Sequence, residues 1–330
     1  MKIRAAIVGA GLMGRWHAKN IGHAGGEIVA ICDLDHQAAQ LLARQFEGVR
    51  VWRRIEDALS EDKIDVVHVC TPLSSHFELT SAALGCGVQV LVEKPMTSQC
   101  AETELLYELA AQHRALLCPV HQFPFQRGVR KALARLGGIG QLRHFEATFC
   151  SAGGAGKSGE ELDDIVLEIL PHPLSLIQLF APGSLRDQDW IVQHSAAGEF
   201  QAAMSARGIA FSILISMGSR PTEATLKLLG TAGTIHVDLF HGFSVVEPSV
   251  VSRWRKVVHP FDLSSRRLIG AGLNILQRAF TWELAYPGLR TLIQNFYAAV
   301  RSGSTLPIPS SDAIEIAATR DLLREKMRAA

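Results

Sequence analysis

Short apolar runs recur at regular intervals through the first third of the chain. IRAAIVG (3–9), EIVAICD (27–33), DVVHVCT (65–71), VQVLVE (88–93) and ALLCPVH (115–121) are rich in aliphatic side chains and show little polar alternation. That is the pattern of strands buried on both faces. The stretches between them, 12–24, 35–46, 74–85 and 98–114, read as helices. Strands alternating with helices imply parallel pairing and an open, doubly wound α/β sheet. After about residue 125 the texture changes. QLRHFEATFC (141–150), the run from Gly208 to Met217, ATLKLLG (224–230) and TIHVDLF (234–240) are strand-like with few helices between them. This suits an α+β domain with an open, mostly antiparallel sheet. A helix is expected over 162–180, and two more close the chain at 288–301 and 311–328. SAGGAGKSGEE (151–161) reads as a loop, either a flexible linker or a mobile flap over a site. The expected domains are 1–122 and 123–330, with the last helices able to pack back on the first domain.

Composition sharpens this picture a little. With 330 residues, 48% of them hydrophobic, the chain can bury a large core and fits two domains. A formal net charge of +1 gives no bulk reason to expect a nucleic acid partner. The N-terminus has basic residues and an apolar run but leads straight into a glycine pattern, so it is not read as a targeting segment. No apolar run reaches the roughly 20 residues that a transmembrane helix needs. The cysteines at 32, 70, 86, 100, 118 and 150 form no CxxC pair and no metal-ligand spacing. No metal is expected, and the cysteines read as buried apolar residues of a reduced, cytoplasmic protein.

GAGLMG places Gly9, Gly11 and Gly14 between the first strand and the first helix. The first glycine permits a tight turn, the second lets a pyrophosphate approach the backbone, and the third lets helix and strand pack closely. Phosphates would sit on the unpaired N–H groups of the helix start, at Leu12 and Met13. Strand two ends at Asp33, where a carboxylate accepts hydrogen bonds from ribose hydroxyls and repels a 2′-phosphate. NAD is therefore expected over NADP, with Asp35 the competing acid.

In an open parallel sheet, ligands bind beyond the carboxyl ends of the strands. Two further strand ends face that crevice, CTPLSSH (70–76) and LVEKPM (91–96). Lys94 would then point toward a bound nicotinamide, where an ammonium group can stabilise developing alkoxide charge. Its bland alternative is a surface turn with a local Glu93–Lys94 pair. The cofactor set expected from these segments is Gly9, Gly11, Leu12, Met13, Gly14, Asp33, Thr71, Pro72, His76, Glu93 and Lys94.

GAGLMGRWHA, CTPLSSH and LVEKPM, at these separations, resemble the Gfo/Idh/MocA family of oxidoreductases. GGIGQLRHFEA (137–147), LLGTAGTIHVD (228–238) and the segment from Leu289 onward extend the resemblance over essentially the whole chain. The resemblance implies an N-terminal Rossmann domain and a C-terminal sheet that often serves as an oligomer interface. It also implies a homo-oligomer, dimer or tetramer, and hydride transfer between a nicotinamide and a secondary alcohol or ketone of a sugar, cyclitol or nucleotide-sugar. Lys94 becomes a substrate-site residue beside the nicotinamide.

Within VLEILPHPLSLIQLF (166–180), His172 falls on the family's acid–base histidine. Glu168 stands where the family has an aspartate, Ser175 where it has a second acid, and Pro171 where it has a glycine. Pro171 and Pro173 are expected to interrupt the helix and weaken the spacing argument. Gln122 takes an asparagine position in the substrate site, while Pro124 replaces the family arginine there. The segment 248–287 is longer than the family hairpin. In it Leu268, Gly272, Ile275, Leu276 and Ala279 form a helical stripe, with Arg266, Arg267 and Arg278 off it. Core or subunit packing is the first expectation for the stripe; contact with a phosphorylated substrate or a membrane surface are the others. The altered histidine helix leaves a second functional class open, an NAD-binding sensor or assembly protein without chemistry. Elimination or epimerisation through a transient ketone also fits the same residues.

Overall fold

The computed structural model describes residues 2–249, 253–283 and 285–330. The chain divides into two compact units, Met1–His121 with Leu289–Ala318, and Gln122–Gly288 with Thr319–Ala330.

In the first unit, β1 (Ile3–Val8), β2 (Gly26–Cys32), β3 (Arg50–Trp52), β4 (Val66–Val69), β5 (Gln89–Val92) and β6 (Leu117–Pro119) pair in parallel, in the order β3-β2-β1-β4-β5-β6. Helices α1 (Leu12–Ile21), α2 (His36–Ala43), α3 (Ile55–Glu61), α4 (His76–Gly85) and α5 (Cys100–Gln112) connect them. Ala5, Ala6, Ile7, Val66, Val67 and Val69 have no exposed surface. Covering on both faces is why these strands lack polar alternation. The strand order reverses between β1 and β4, so a crevice opens beyond their carboxyl ends. The pair β3 and α3 was not anticipated. A three-residue edge strand is too short to display a period.

The second unit begins with α6 (Arg127–Ala134), then β7 (Leu142–Cys150), α7 (Gly159–Ile169), α8 (Pro171–Phe180), β8 (Ile191–Ala196), β9 (Glu199–Ala206), β10 (Ile209–Ser216), β11 (Glu223–Gly230), β12 (Gly233–Asp238), β13 (Phe243–Pro248) and α9 (Arg253–Thr281). The strands form one sheet, β13-β12-β11-β7-β10-β9-β8, antiparallel throughout except where β10 runs parallel to β7. One face is a core of Phe145, Phe200, Phe211, Ile213, Leu228 and Ile235, against which Phe180 of α8 packs. The helix expected over 162–180 is two helices, α7 and α8. They part at Leu170 because Pro171 has no N–H to continue the ladder. The glycine loop ends at Ser158, whose side chain and Glu161 form a capping box that starts α7.

The largest departure from the sequence reading is α9, which spans 29 residues. Its stripe is not a core: Leu268, Ile275 and Leu276 are 76, 66 and 59% exposed. The opposite side of α9 meets the sheet, where Gly270 lies against Phe243 and Val245. Finally, α10 (Leu289–Ser302) belongs to the first unit and buries Leu292, Ile293, Phe296 and Tyr297, while α11 (Ser310–Ala329) is divided between the two. Among the described residues, no helix is long and apolar enough to cross a membrane.

Candidate functional site

The turn from β1 into α1 is tight behind and open in front. Gly9 has φ +99°, and a Cβ on it would meet the Cys70 carbonyl oxygen at 2.6 Å. A Cβ on Gly14 would collide with the Gly9 carbonyl. Around Gly11, by contrast, no atom lies within 4 Å of where a Cβ would stand. Arg15 N–H is bonded to the Gly11 carbonyl and opens the helical ladder, so the N–H groups of Leu12, Met13 and Gly14 form the first turn, which has no intrahelical acceptors. Gly11 caps α1 without a side chain, and the first turn holds no acid to occupy its positive end. These residues fit a dinucleotide pyrophosphate.

Asp33, half-buried at the end of β2, pins that turn. Its Oδ2 accepts the Ala10 N–H at 2.7 Å and its Oδ1 accepts the Asp35 N–H at 2.8 Å. Asp35 is otherwise engaged, as the N-cap of α2, accepting from Gln37 and Ala38. The two acids thus have different jobs, and only Asp33 stands at a strand end beside the glycine turn.

At the next strand end, Thr71 accepts a hydrogen bond from the Ser75 hydroxyl at 2.8 Å, and Pro72 leads into the turn before α4. His76 was expected among the cofactor contacts. It is buried instead, with Nδ1 on the Pro95 carbonyl and Nε2 on the Thr71 carbonyl, each at 2.8 Å. A neutral ring donates to one of these oxygens and only an imidazolium to both. The ring therefore straps the β4 end to the turn after β5.

The turn after β5 holds Glu93, Lys94 and Pro95, with a cis bond between Lys94 and Pro95. Glu93 is buried and anchored on both oxygens: Oε1 to His17 Nε2 at 3.0 Å and Oε2 to the Lys94 N–H at 3.2 Å. His17 continues through Nδ1 to His68 Nδ1 at 2.8 Å, and His68 Nε2 reaches the Tyr297 hydroxyl at 2.7 Å. Burial, then the nearby His17, hold His68 well below its usual pKa, so its ring is neutral. Burial pushes the Tyr297 phenol up. Each ring nitrogen of His17 and His68 thus has a partner in the line, which ends with His17 on the Glu93 carboxylate. This buried line fixes the carboxylate next to Lys94, which is itself half-buried. Sequence reasoning missed His17, His68 and Tyr297. The available signal was His68 itself, a polar ring inside the buried run DVVHV that demanded a partner.

The second unit carries the remaining expected residues. His172 lies in the first turn of α8, stacked on Phe123 with ring centroids 4.3 Å apart, and Phe149 lies beyond at 6.3 Å. Ser175 donates to the His172 backbone carbonyl at 2.8 Å, so it serves the helix and not the imidazole. Glu168 is exposed in the last turn of α7. Gln122 is buried, and its backbone carbonyl accepts the Phe125 N–H at 3.0 Å. Among the described residues, no group of three His, Cys, Asp or Glu side chains is placed to hold a metal ion.

Comparison with known proteins places this arrangement. Residues 3–121 match the model of an oxidoreductase family with an NAD-binding Rossmann fold, Gfo/Idh/MocA. Over 178 residues the chain is 27% identical to the UDP-N-acetylglucosamine 3-dehydrogenase of Acidithiobacillus ferrooxidans, a match covering 54% of each chain. Over 109 residues it is 34% identical to the inositol 2-dehydrogenase of Corynebacterium glutamicum strain R, covering 32% of each. The match thus spans about half or less of the length of these curated relatives. Among solved structures, the WlbA dehydrogenase from Bordetella pertussis, in complex with NADH and UDP-GlcNAcA, superposes with a TM-score of 0.79 at 17% identity, over 99% of this chain and 96% of that one. At that identity the likeness shows a shared fold. The glycine turn, the reversed strand order and the EKP strand end all sit inside the segment 3–121 that matches the Gfo/Idh/MocA oxidoreductase model.

Proposed function

We propose that the protein is an NAD-dependent oxidoreductase acting on a secondary alcohol or ketone of a sugar, cyclitol or nucleotide-sugar. The observation that carries this reading is the strand-end turn, where a carboxylate anchored through His17 fixes the backbone of Lys94 on the same sheet edge as the glycine turn. Leu12, Met13 and Gly14 would hold the pyrophosphate on their N–H groups, and Asp33 the adenosine ribose. NAD, when bound, supplies the hydride acceptor. Lys94 donates a hydrogen bond to the reacting oxygen and stabilises the charge that develops there. His172 receives the hydroxyl proton, and Glu168, four residues earlier, orients its ring. Gln122 is assigned to the substrate. The curated relatives, a nucleotide-sugar dehydrogenase and a cyclitol dehydrogenase, support that substrate class. A reduced cytoplasmic setting is part of the proposal, supported by six free cysteines, as is a homo-oligomer.

The test is a panel of sugars, cyclitols and nucleotide-sugars read by nicotinamide absorbance, with Lys94→Ala beside the wild type. The variant should lose about 10²–10³-fold in turnover with NAD affinity little changed. Ser175 favours a second reading. It stands where the family has an acid and donates to a backbone carbonyl, as would suit an NAD-binding protein without chemistry. A protein that binds NAD while absorbance stays flat across the whole panel would support that reading instead.

A further inference from the structure

Helix α9 is turned inside out relative to an ordinary surface helix. Its polar side faces the sheet and is hydrogen-bonded there. His259 and His236 both reach Glu247 at 2.7 Å, Asn274 donates to the His241 carbonyl at 3.0 Å, and Arg278 donates to the same carbonyl at 3.2 Å. Its apolar side faces out. Phe261, Leu268, Ile269, Ile275, Leu276 and Phe280 are 59–84% exposed. At 3.6 residues per turn they fall within an arc of about 140°. Trp282 follows, 73% exposed. Left in water, so continuous an apolar face marks a missing partner.

The surrounding charge says which kind. Between 258 and 282, Arg266, Arg267 and Arg278 stand against one acid, Asp262. Beside the apolar arc, α6 and α9 line a cavity of about 300 Å³ with Arg127, Lys131, Arg135 and Arg266 over Ile269 and Leu273. Arg127 and Lys131 of α6 and its C-cap Arg135 repeat every four residues, and none is in an ion pair among the described residues. Partial burial, with Arg127 and Arg135 alongside, pulls Lys131 below its usual pKa. A second copy of this chain seated on α9 would bring two such basic helices together. An anionic lipid surface offers both things the face lacks, an apolar phase for the arc and phosphate groups for the basic rim.

We infer that α9 docks the protein onto anionic membrane surfaces, its apolar face lying in the headgroup boundary and the α6–α9 cavity receiving lipid phosphate. The helix lies on the bilayer and does not span it, in keeping with its polar, sheet-bound side.

The test is co-sedimentation of the full chain with vesicles of equal parts phosphatidylglycerol and phosphatidylcholine, against phosphatidylcholine alone, at low and high salt. Binding to the anionic vesicles should exceed binding to the neutral ones at least about tenfold and fall with salt. The double substitution Leu268→Glu and Leu276→Glu should abolish it, with circular dichroism and NAD affinity unchanged. Arg135→Glu with Arg266→Glu should weaken it at least about tenfold. Wild-type protein that stays in the supernatant overturns the inference, including when it still binds inorganic phosphate in solution. So does equal pelleting of the Glu double variant. A concentration-dependent dimer that this same variant dissolves in sedimentation velocity also overturns it, since the face would then belong to a second copy.

Discussion

Asp33→Asn probes the nucleotide site at its best-defined point. The carboxylate accepts two backbone N–H groups, from Ala10 at 2.7 Å and Asp35 at 2.8 Å. An asparagine has one carbonyl oxygen and one amide nitrogen. Whichever way it turns, one N–H loses its acceptor and faces a donor. Exchanging one charge-assisted bond for a donor–donor contact costs about 1.5–3 kcal/mol. That cost falls on the glycine-turn conformation in which the cofactor-competent state is preorganised, so it lowers the competent population. NAD affinity should drop about 10–100-fold, read by NADH fluorescence titration. The same change removes the charge that repels a 2′-phosphate, so NADPH should lose less, and the NAD-to-NADP preference should narrow. Asp35→Asn is the control. Asparagine caps a helix as well as aspartate does, and that variant should bind like the wild type. An Asp33→Asn protein that binds NADH within twofold of wild type, with its preference intact, would refute the reasoning.

Tyr297→Phe keeps the buried ring and deletes the hydroxyl that meets His68 at 2.7 Å. Leaving a buried ring nitrogen without a partner should cost about 1–3 kcal/mol in urea unfolding, and a loss under half of that would mean the line from Tyr297 to Glu93 is slack. His68, held neutral in the folded state, adds a pH dependence. Its folded pKa is depressed, so its contribution is complete above the unfolded value near 6.5 and is lost as pH falls below it. Stability should decline by up to about 1.4 kcal/mol per pH unit just below that point, and His68→Gln should flatten the slope. Thiol labelling at pH 8 should modify the exposed Cys86 first, while Cys32, whose thiol burial pushes up to about 12, resists. Equal rates at the two sites would mean that the edge of the first sheet opens.

The parts of the molecule legible in sequence were those whose signals are local. Gly9, Gly11, Gly14 and Asp33 lie within 25 residues of one another, and the turn they build is set by backbone space that only glycine leaves. The buried strands β1, β4 and β5 declared themselves by unbroken apolar runs. In the second unit, β9 alternates Phe200, Ala202 and Met204 inward with Gln201, Ala203 and Ser205 outward. That alternation was present but faint, because alanines stand on both faces. Least readable was what depends on distant partners. His68 and Tyr297 are 229 residues apart, and nothing in local periodicity joins them. Periodicity did reveal the stripe on α9, but not which side it faces. The outward choice follows from polar partners, Glu247 and the His241 carbonyl, that a wheel diagram does not contain.

The central claim is that Lys94 serves hydride transfer between a sugar-like carbinol and NAD. The direct measurement is mass analysis of the nicotinamide after a single turnover with substrate deuterated at the reacting carbon, using wild type and Lys94→Ala, each saturated with NAD. Deuterium should pass to the nicotinamide in the wild type and slow at least about a hundredfold in the variant, whose NAD binding is unchanged. Transfer at the same rate in both proteins, or no transfer to the nicotinamide from any sugar, cyclitol or nucleotide-sugar, would contradict the account.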